Sequence, residues 1–447
     1  MQKNIMNDEN SSINIGIDNI SIYVPKFYLD HSDLAQARGV DPEKYSQGLG
    51  QKSMAVPAPD EDIVTMAANA AADFSEEELS EVSWVLFATE SGIDQSKAAG
   101  LYVHSLLNLP DSARVIELKQ ACYSATAAIQ MAKALLVLEQ DKNKKILILA
   151  SDIAKYGLNT TGESSQGAGA IALLISHNPK IIEITNTSGV YTQDVMDFWR
   201  PNYTNNAIVD GKYSCEVYLS CLMKSYERYQ QAYLNKNINK NINKNINLNN
   251  FAAICFHVPV PKLARHALNK LVRADNAKLD SKLNSKIKPK YKNLWDNLDA
   301  SLEYCSIMGN SYTASLYVGL LSLFCHGKIE SLLDKNHGNK IGFFSYGSGC
   351  VSEFFEGIIN PDYHKYINKE KISAKFASRQ KLNIDEYEAY FSYNYPTDGS
   401  NCELPELSDG KFRLAKIEDH KRIYTQTSQE NLCSRTPKQA QLPAEIA

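Results

Sequence analysis

Short apolar runs, each long enough to cross a sheet once, recur along the chain between longer stretches with helical spacing. Val85–Thr89, Arg114–Leu118, Lys145–Ala150 and Ala168–Ser176 read as strands in the first half, and Phe251–Val258 and Lys340–Ser345 in the second. The Ala- and Leu-rich segment after Cys122, and the stretches Tyr213–Tyr233 and Asn310–Phe324, carry helical spacing. Strands alternating with helices predict an α/β fold. The second half repeats the theme of the first with no repeat visible residue by residue, so a duplicated layered architecture is expected. The expected units are 13–180 and 181–425.

Polar, repetitive tracts interrupt this pattern. NKNINKNINKNINLNN, within 235–250, has a period of four that fits neither a strand nor a packed helix, and reads as an expanded, dispensable surface loop. Residues 1–12 and 426–447 read as poorly ordered tails.

The 447 residues are 44% hydrophobic, enough for a substantial core. A net charge of −4 with mixed signs offers no basic field for nucleic acid, and no nucleic-acid partner is expected. No apolar run is expected to approach the roughly 18 residues that a membrane span needs. The opening MQKNIMNDENSS has neither an apolar core nor an Arg-rich composition, so a cytoplasmic protein is expected. Nine cysteines at irregular spacings, without a CxxC pair, argue for reduced thiols rather than a disulfide framework or a zinc site.

Three residues at the ends of strand-like runs carry candidate chemistry. In RVIELKQACYSATAAIQMAKALLVLE a strand turns sharply and delivers Cys122 to a helix start, where unpaired N–H groups lower a thiol's pKa and can stabilise an oxyanion. Glu90 ends VSWVLFATE, partly enclosed, with a pKa that burial can raise toward that of a general base. His257 follows a strand in FAAICFHVPVPK. Each alone has a structural reading: a buried small thiol, a capping carboxylate, a hydrogen-bonded core histidine. Together they supply a nucleophile, a base and a proton donor for chemistry on an acyl group. GESSQGAGAIALLIS and FFSYGSGCVSEFF match no phosphate-loop or dinucleotide pattern. Glycines 347 and 349 either form a simple strand-to-strand turn or let the backbone around Ser348 approach another group closely. Asn310 either caps a helix or presents its amide to a substrate.

A series of motifs in order, among them EKYSQGLGQKSMAVPAPDEDIVTMA, ATESGIDQSKA, ELKQACYSATAAIQMA, SDIAKYGLNTTGESSQGAGA, VMDFWRPN, FHVPVPK, GNSYTASLY and FSYGSGCVSEFF, resembles the 3-hydroxy-3-methylglutaryl-CoA synthase family of the thiolase superfamily over nearly the whole chain. The resemblance implies a thiolase-like, duplicated α-β-α-β-α fold, a homodimer, and condensation of acetyl-CoA with acetoacetyl-CoA in the mevalonate route to isoprenoids. It places the nucleophile on Cys122, the base on Glu90 and the acid or orienting histidine on His257. It puts Tyr156, Asn159, Thr160, Asn310 and Ser348 around the substrate, and Lys262 on the CoA phosphate side. No metal or redox cofactor is implied; the CoA thioesters are substrates. The Asn/Lys tract and the run VPVPKLARHAL depart from the family pattern. A related synthase that acts on carrier-protein-tethered chains in polyketide β-branching shares the trio and is the alternative. A decarboxylating ketoacyl synthase would lack the base at Glu90, and a non-catalytic acyl-CoA-binding scaffold would lack one of the three.

Overall fold

The computed structural model describes residues 14–238, 246–277, 290–333 and 339–427. Its centre is a nine-stranded sheet built from β1 (Ile15–Tyr23), β2 (Val82–Ala88), β3 (Arg114–Leu118), β4 (Lys145–Ala154), β5 (Gly167–His177), β6 (Ile182–Thr192), β7 (Ala253–Phe256), β8 (Lys340–Gly347) and β9 (Val351–Ile359). The order is β7-β8-β9-β6-β1-β5-β4-β2-β3. The halves meet at a short β1–β6 pairing, Gly16 against Glu183 and Ile17 against Ile182.

Duplication shows in this order. In the first half β2 runs parallel to both β3 and β4, β4 is antiparallel to β5, and β5 is antiparallel to β1. In the second half β7 is parallel to β8, β8 antiparallel to β9, and β9 antiparallel to β6. A counterpart of β3 is not among the described strands. The α/β, duplicated and layered class expected from the sequence is thus what the backbone adopts. Strands β1, β6 and β9 extend what the apolar runs indicated.

Helices cover both faces: α1 (Ile63–Ala71), α2 (Gly100–Leu106), α3 (Ser124–Leu138), α4 (Gly211–Ile238), α5 (Pro261–Ala277), α6 (Lys292–Met308) and α7 (Ser315–His326). The central strands carry consecutive apolar residues, such as Val85–Ala88 and Ile146–Ala150, because both faces are buried there. Val85, Phe87, Leu147 and Leu149 pack with Met66, Ala67 and Ala70 of α1 and Val103 of α2. The alternate residues Leu86, Ala88, Ile146 and Ile148 turn to the other face with Ala125, Ala128, Ile129 and Ala132 of α3. Helix α1 starts where the Asp62 side chain accepts the Val64 and Thr65 amides in a reciprocal capping box. Helices α3 and α7 form the middle layer, joined by Thr126 Oγ1 and Tyr317 Oη at 2.8 Å.

Three expectations need correction. First, the window Ala121–Leu138 is 18 residues long with a mean hydropathy of 1.4, long and apolar enough to cross a membrane by length and composition. Only 44% of the window is buried: one face packs on the sheet and on α7, while Met131, Val137 and Leu138 keep the other face apolar and exposed. Second, the Asn/Lys tract is not simply a loop: α4 continues through 235–238, and Ile246 and Leu248 sit in the main core, while 239–245 lie outside the described residues. An Asn-rich composition hid two core anchors. Third, the C-terminal strand Lys421–Gln426 pairs with Phe412–Glu418, and Thr427 is buried against Gly410, so order runs past 425. Residues 1–12 and 428–447 lie outside the described residues.

Leu248 is fully buried. Leu248→Ala is therefore expected to cost about 2–5 kcal/mol, measured by denaturant unfolding; a change within about 0.5 kcal/mol, the surface range, would return Leu248 to the loop.

Candidate active site

Parallel register brings the first two candidates together. Ala88 of β2 lies beside Leu118 of β3, and the Thr89 amide extends the ladder to the Leu118 carbonyl. Glu90 leaves β2 there, and four residues beyond Leu118 the chain turns into α3 at Cys122. Ala121 takes a left-handed φ of 44° to make that turn. The Cys122 thiol donates to Glu90 Oε1 at 2.8 Å.

A second carboxylate holds this pair. Asp152, fully buried on β4, accepts Thr89 Oγ1 at 2.8 Å, the Glu90 amide at 2.9 Å, Ser91 Oγ at 2.8 Å and the Thr313 amide at 3.0 Å. Burial pushes the Asp152 carboxyl up, and these donors oppose the shift. Glu90 is pushed up to about 8, first by burial and then by the Asp152 charge, while the Cys122 hydrogen bond and Arg200 pull the other way. Both Glu90 and Cys122 keep some exposed surface as whole residues, but the groups that titrate are enclosed.

The helix start does not lower the Cys122 pKa here. Burial and the adjacent Glu90 push it well above the ordinary thiol value, because both disfavour a thiolate more than the helix N-terminus favours one. The resting site is a neutral thiol donating to a carboxylate that titrates near neutrality, and the two protons are coupled.

His257 continues β7 by one residue, its amide bonded to the Phe344 carbonyl. Its ring packs against Tyr218 and Tyr346. Nδ1 lies 2.7 Å from Ser315 Oγ, which also accepts the Val258 amide. In the tautomer in which Ser315 donates to Nδ1, the one N–H of the neutral imidazole is on Nε2. Burial pushes His257 down to about 3, so the ring is neutral at physiological pH. A neutral imidazole with Nε2–H can hold and polarise a carbonyl or alkoxide oxygen.

The β8–β9 hairpin closes against the nucleophile turn. The Ser348 carbonyl accepts Gln120 Nε2 at 3.1 Å. A Cβ on Gly347 would fall 2.4 Å from the Gln120 carbonyl oxygen and 2.7 Å from Tyr123 Cβ, so only glycine allows this approach. Both readings of the GSG segment therefore hold: a strand-to-strand turn and a close backbone contact. Fully buried Asp197 fastens the hairpin, accepting Tyr346 Oη at 2.6 Å and the Gly349 amide at 2.9 Å.

The remaining candidates scatter more. Tyr156 forms an edge-packed aromatic group with Phe198 and Tyr312, its hydroxyl 3.5 Å from Asn310 Nδ2. Asn310 is not the cap residue of the following helical segments: its Oδ1 accepts the Tyr312 amide at 2.9 Å in a local turn, and its amide nitrogen faces Tyr156. Gly309 before it has a φ of 80°, and a Cβ there would lie 2.1 Å from the Gln166 carbonyl oxygen. Asn159 and Thr160 sit on an exposed turn, where the Asn159 amide bonds Glu163 and the Thr160 hydroxyl bonds the Gly157 carbonyl. The Lys262 ammonium bonds the Gln47 carbonyl at 3.2 Å near the start of α5. A cavity of about 880 Å³ reaches Glu90 and is also lined by Lys155 and Arg200, while Cys122, His257 and Ser348 are not part of its wall.

Sequence reasoning missed Asp152, Asp197, Thr313 and Ser315. Asp152 and Asp197 lie in SDIAKYG and VMDFWRPN, and a lone carboxylate ending an apolar strand run, as Asp152 does in KILILASD, was the available signal.

A carboxyl raised by burial binds a proton in the folded state that it would release unfolded, so stability falls as pH rises from about 4.5, the ordinary carboxyl value, to about 8. Glu90→Gln is expected to leave the unfolding temperature little changed at pH 5 and to raise it by a few degrees at pH 8.5, read by calorimetry. An equal effect at both pH values would show that Glu90 is not raised.

The family model for the N-terminal part of hydroxymethylglutaryl-coenzyme A synthase matches residues 11–180, and that for the C-terminal part matches 181–305 and 291–427. The hydroxymethylglutaryl-CoA synthase of Enterococcus faecalis is 38% identical over 92% of this chain and 99% of its own length. The polyketide-biosynthesis 3-hydroxy-3-methylglutaryl-ACP synthase of Bacillus subtilis is 30% identical over 85% of this chain and 88% of its own. A crystal structure of HMG-CoA synthase complexed with CoA superposes with a TM-score of 0.82 at 38% identity, covering 93% of this chain and all of that one.

Proposed function

The chain belongs to the hydroxymethylglutaryl-coenzyme A synthase family, and on that premise we propose how its own residues carry the reaction. That reaction condenses acetyl-CoA with acetoacetyl-CoA and water to give 3-hydroxy-3-methylglutaryl-CoA and CoA, in the mevalonate route to isoprenoids. The carrier-protein form is the more distant likeness, and no feature of the site favours it.

The thiol–carboxylate contact at 2.8 Å carries the reading. Cys122 attacks the acetyl-CoA thioester as its proton passes to Glu90, and CoA leaves as the thiol. Backbone N–H groups at the start of α3 and in the Ser348 turn face the oxyanion. Glu90 then takes a proton from the acetyl methyl, and the enolate carbon attacks the acetoacetyl ketone. His257 Nε2–H stabilises the alkoxide by a hydrogen bond, the proton that Glu90 took from the methyl passes to that alkoxide, and water cleaves the Cys122 thioester. Tyr156 and Asn310 border the acyl group, with Asn159, Thr160 and Lys262 toward the CoA chain. Thioester activation and the acid–base pair supply every electron-pair and proton movement, so the reaction needs no metal or redox group.

We propose a homodimer through β3, a reading that the exposed surface supports. β3 ends the sheet with an unpaired edge, and Leu101, Met131, Val137 and the 80%-exposed Leu138 stand bare on the neighbouring helices. Sedimentation should give twice the chain mass, and Leu138→Glu should shift it toward one chain; a parent protein that sediments as a single chain contradicts the dimer. We place the enzyme in the cytoplasm, a reducing compartment that keeps Cys122 free.

Radiolabelled acetyl-CoA tests the reaction. The parent should carry label on Cys122, Cys122→Ala none, and Glu90→Ala should take up acetyl more slowly, because the thiol loses its proton acceptor, and condense at least about a hundredfold more slowly. Turnover by Cys122→Ala contradicts the nucleophile assignment.

A further inference from the structure

Resting on that reaction, we infer that Glu353 is a positioning residue for the nucleophile, acting through Tyr123. Tyr123 directly follows Cys122, and its hydroxyl donates to Glu353 Oε2 at 2.7 Å. Glu353 lies on β9, beside Ser345 of β8 and Val190 of β6, and is 2% exposed. Its other oxygen accepts Gln130 Nε2 at 3.1 Å. Gln130 lies two helical turns beyond Tyr123 on the same face of α3. Lys133, one further turn along, bonds the Thr185 carbonyl at 2.6 Å and sets a positive charge facing the carboxylate.

The β8–β9 hairpin thus grips the nucleophile turn at two separated points. One is at its tip, where Gly347 packs on Gln120 and Tyr123 and Ser348 accepts Gln120. The other is Glu353, further along β9. A single contact would leave the turn free to pivot; two fix its rotation. That matters here because the turn contains a non-glycine residue, Ala121, at positive φ, a conformation that persists only when its surroundings over-determine it. A buried carboxylate is an expensive way to fill space, and an apolar side chain would fill it more cheaply. It could not accept the Tyr123 hydroxyl. The acceptor is therefore what this position contributes: it holds the thiol in line with Glu90 and with the gap between the two turns.

Four proteins test this: Tyr123→Phe, Glu353→Leu, their double variant, and Glu353→Gln, whose amide oxygen can still accept from Tyr123. The rates measured are acetylation of Cys122 by acetyl-CoA and, independently of any reaction assignment, its alkylation by iodoacetamide, read by peptide mass spectrometry. Tyr123→Phe and Glu353→Leu should each slow acetylation at least about tenfold while KM for acetyl-CoA moves less than about twofold, since about 1 Å of misplacement is enough for such a loss. The double variant should lose no more than either single, the mark of residues acting through one contact, and Glu353→Gln should recover to within about threefold of the parent. Alkylation should follow the same order. If Glu353→Leu does not fold, Tyr123→Phe and Glu353→Gln decide the matter. Unchanged acetylation and alkylation in Tyr123→Phe, or additive losses in the double variant, overturn the inference. A parent whose Cys122 alkylates but takes no acetyl group instead overturns the reaction, with alkylation still reporting on Glu353.

Discussion

The site depends on one carboxylate that water does not reach. Asp152 is an anion or near-anion in the middle of the molecule, and the groups that satisfy it come from both halves of the chain: Thr89, Glu90 and Ser91 from the end of β2, and Thr313 from the segment before α7. Leaving any of these donors unpaired would cost more than the bond itself returns, so the two halves are locked in register where the chemistry happens. The same charge acts on Glu90 through space. Burial alone would raise Glu90, and the neighbouring anion raises it further, to the range where a carboxylate can both take and return a proton at neutral pH.

A second consequence concerns the thiol. Reactive cysteines are commonly activated by positive surroundings, but here the nearest charged groups are carboxylates and the thiol is held protonated. Activation must therefore be coupled to proton transfer within the Cys122–Glu90 pair rather than stored as a resting thiolate. Such a site stays chemically quiet until a thioester arrives, and it reuses one base for both acyl transfer and carbon-acid ionisation. His257 complements this arrangement by staying neutral: buried without a carboxylate partner, it offers a hydrogen bond instead of a cation.

Much of this was legible in the sequence because the chemistry sits at strand ends, where an apolar run stops on a polar residue. Cys122, Glu90 and His257 each carry that signature. Strands β1 and β6 were harder: Asp18, Asn19 and Ser21 interrupt IGIDNISIY, and IEITNTSGVYT alternates without a strong apolar face, although both lie at the junction of the halves. Asp152 and Thr313 are 161 residues apart, and Glu353 and Tyr123 are 230 apart, so no local pattern could pair them. The Asn/Lys tract misled in the other direction, since its composition signals solvent while Ile246 and Leu248 anchor its end in the core. Ala121–Leu138 shows the same limit for hydropathy: a helix with one face in a protein core and exposed apolar residues on another can match the composition of one crossing a bilayer.

The central claim is that Glu90 titrates far above an ordinary carboxyl because it is buried beside Asp152. Carbon-13 NMR of glutamate carboxyls in the intact protein, with the Glu90 resonance identified by its loss in Glu90→Gln, measures this directly. The account predicts a midpoint near 8 that falls when Asp152 is changed to Asn. A Glu90 midpoint near the ordinary carboxyl value of 4.5, unmoved by Asp152→Asn, would contradict it.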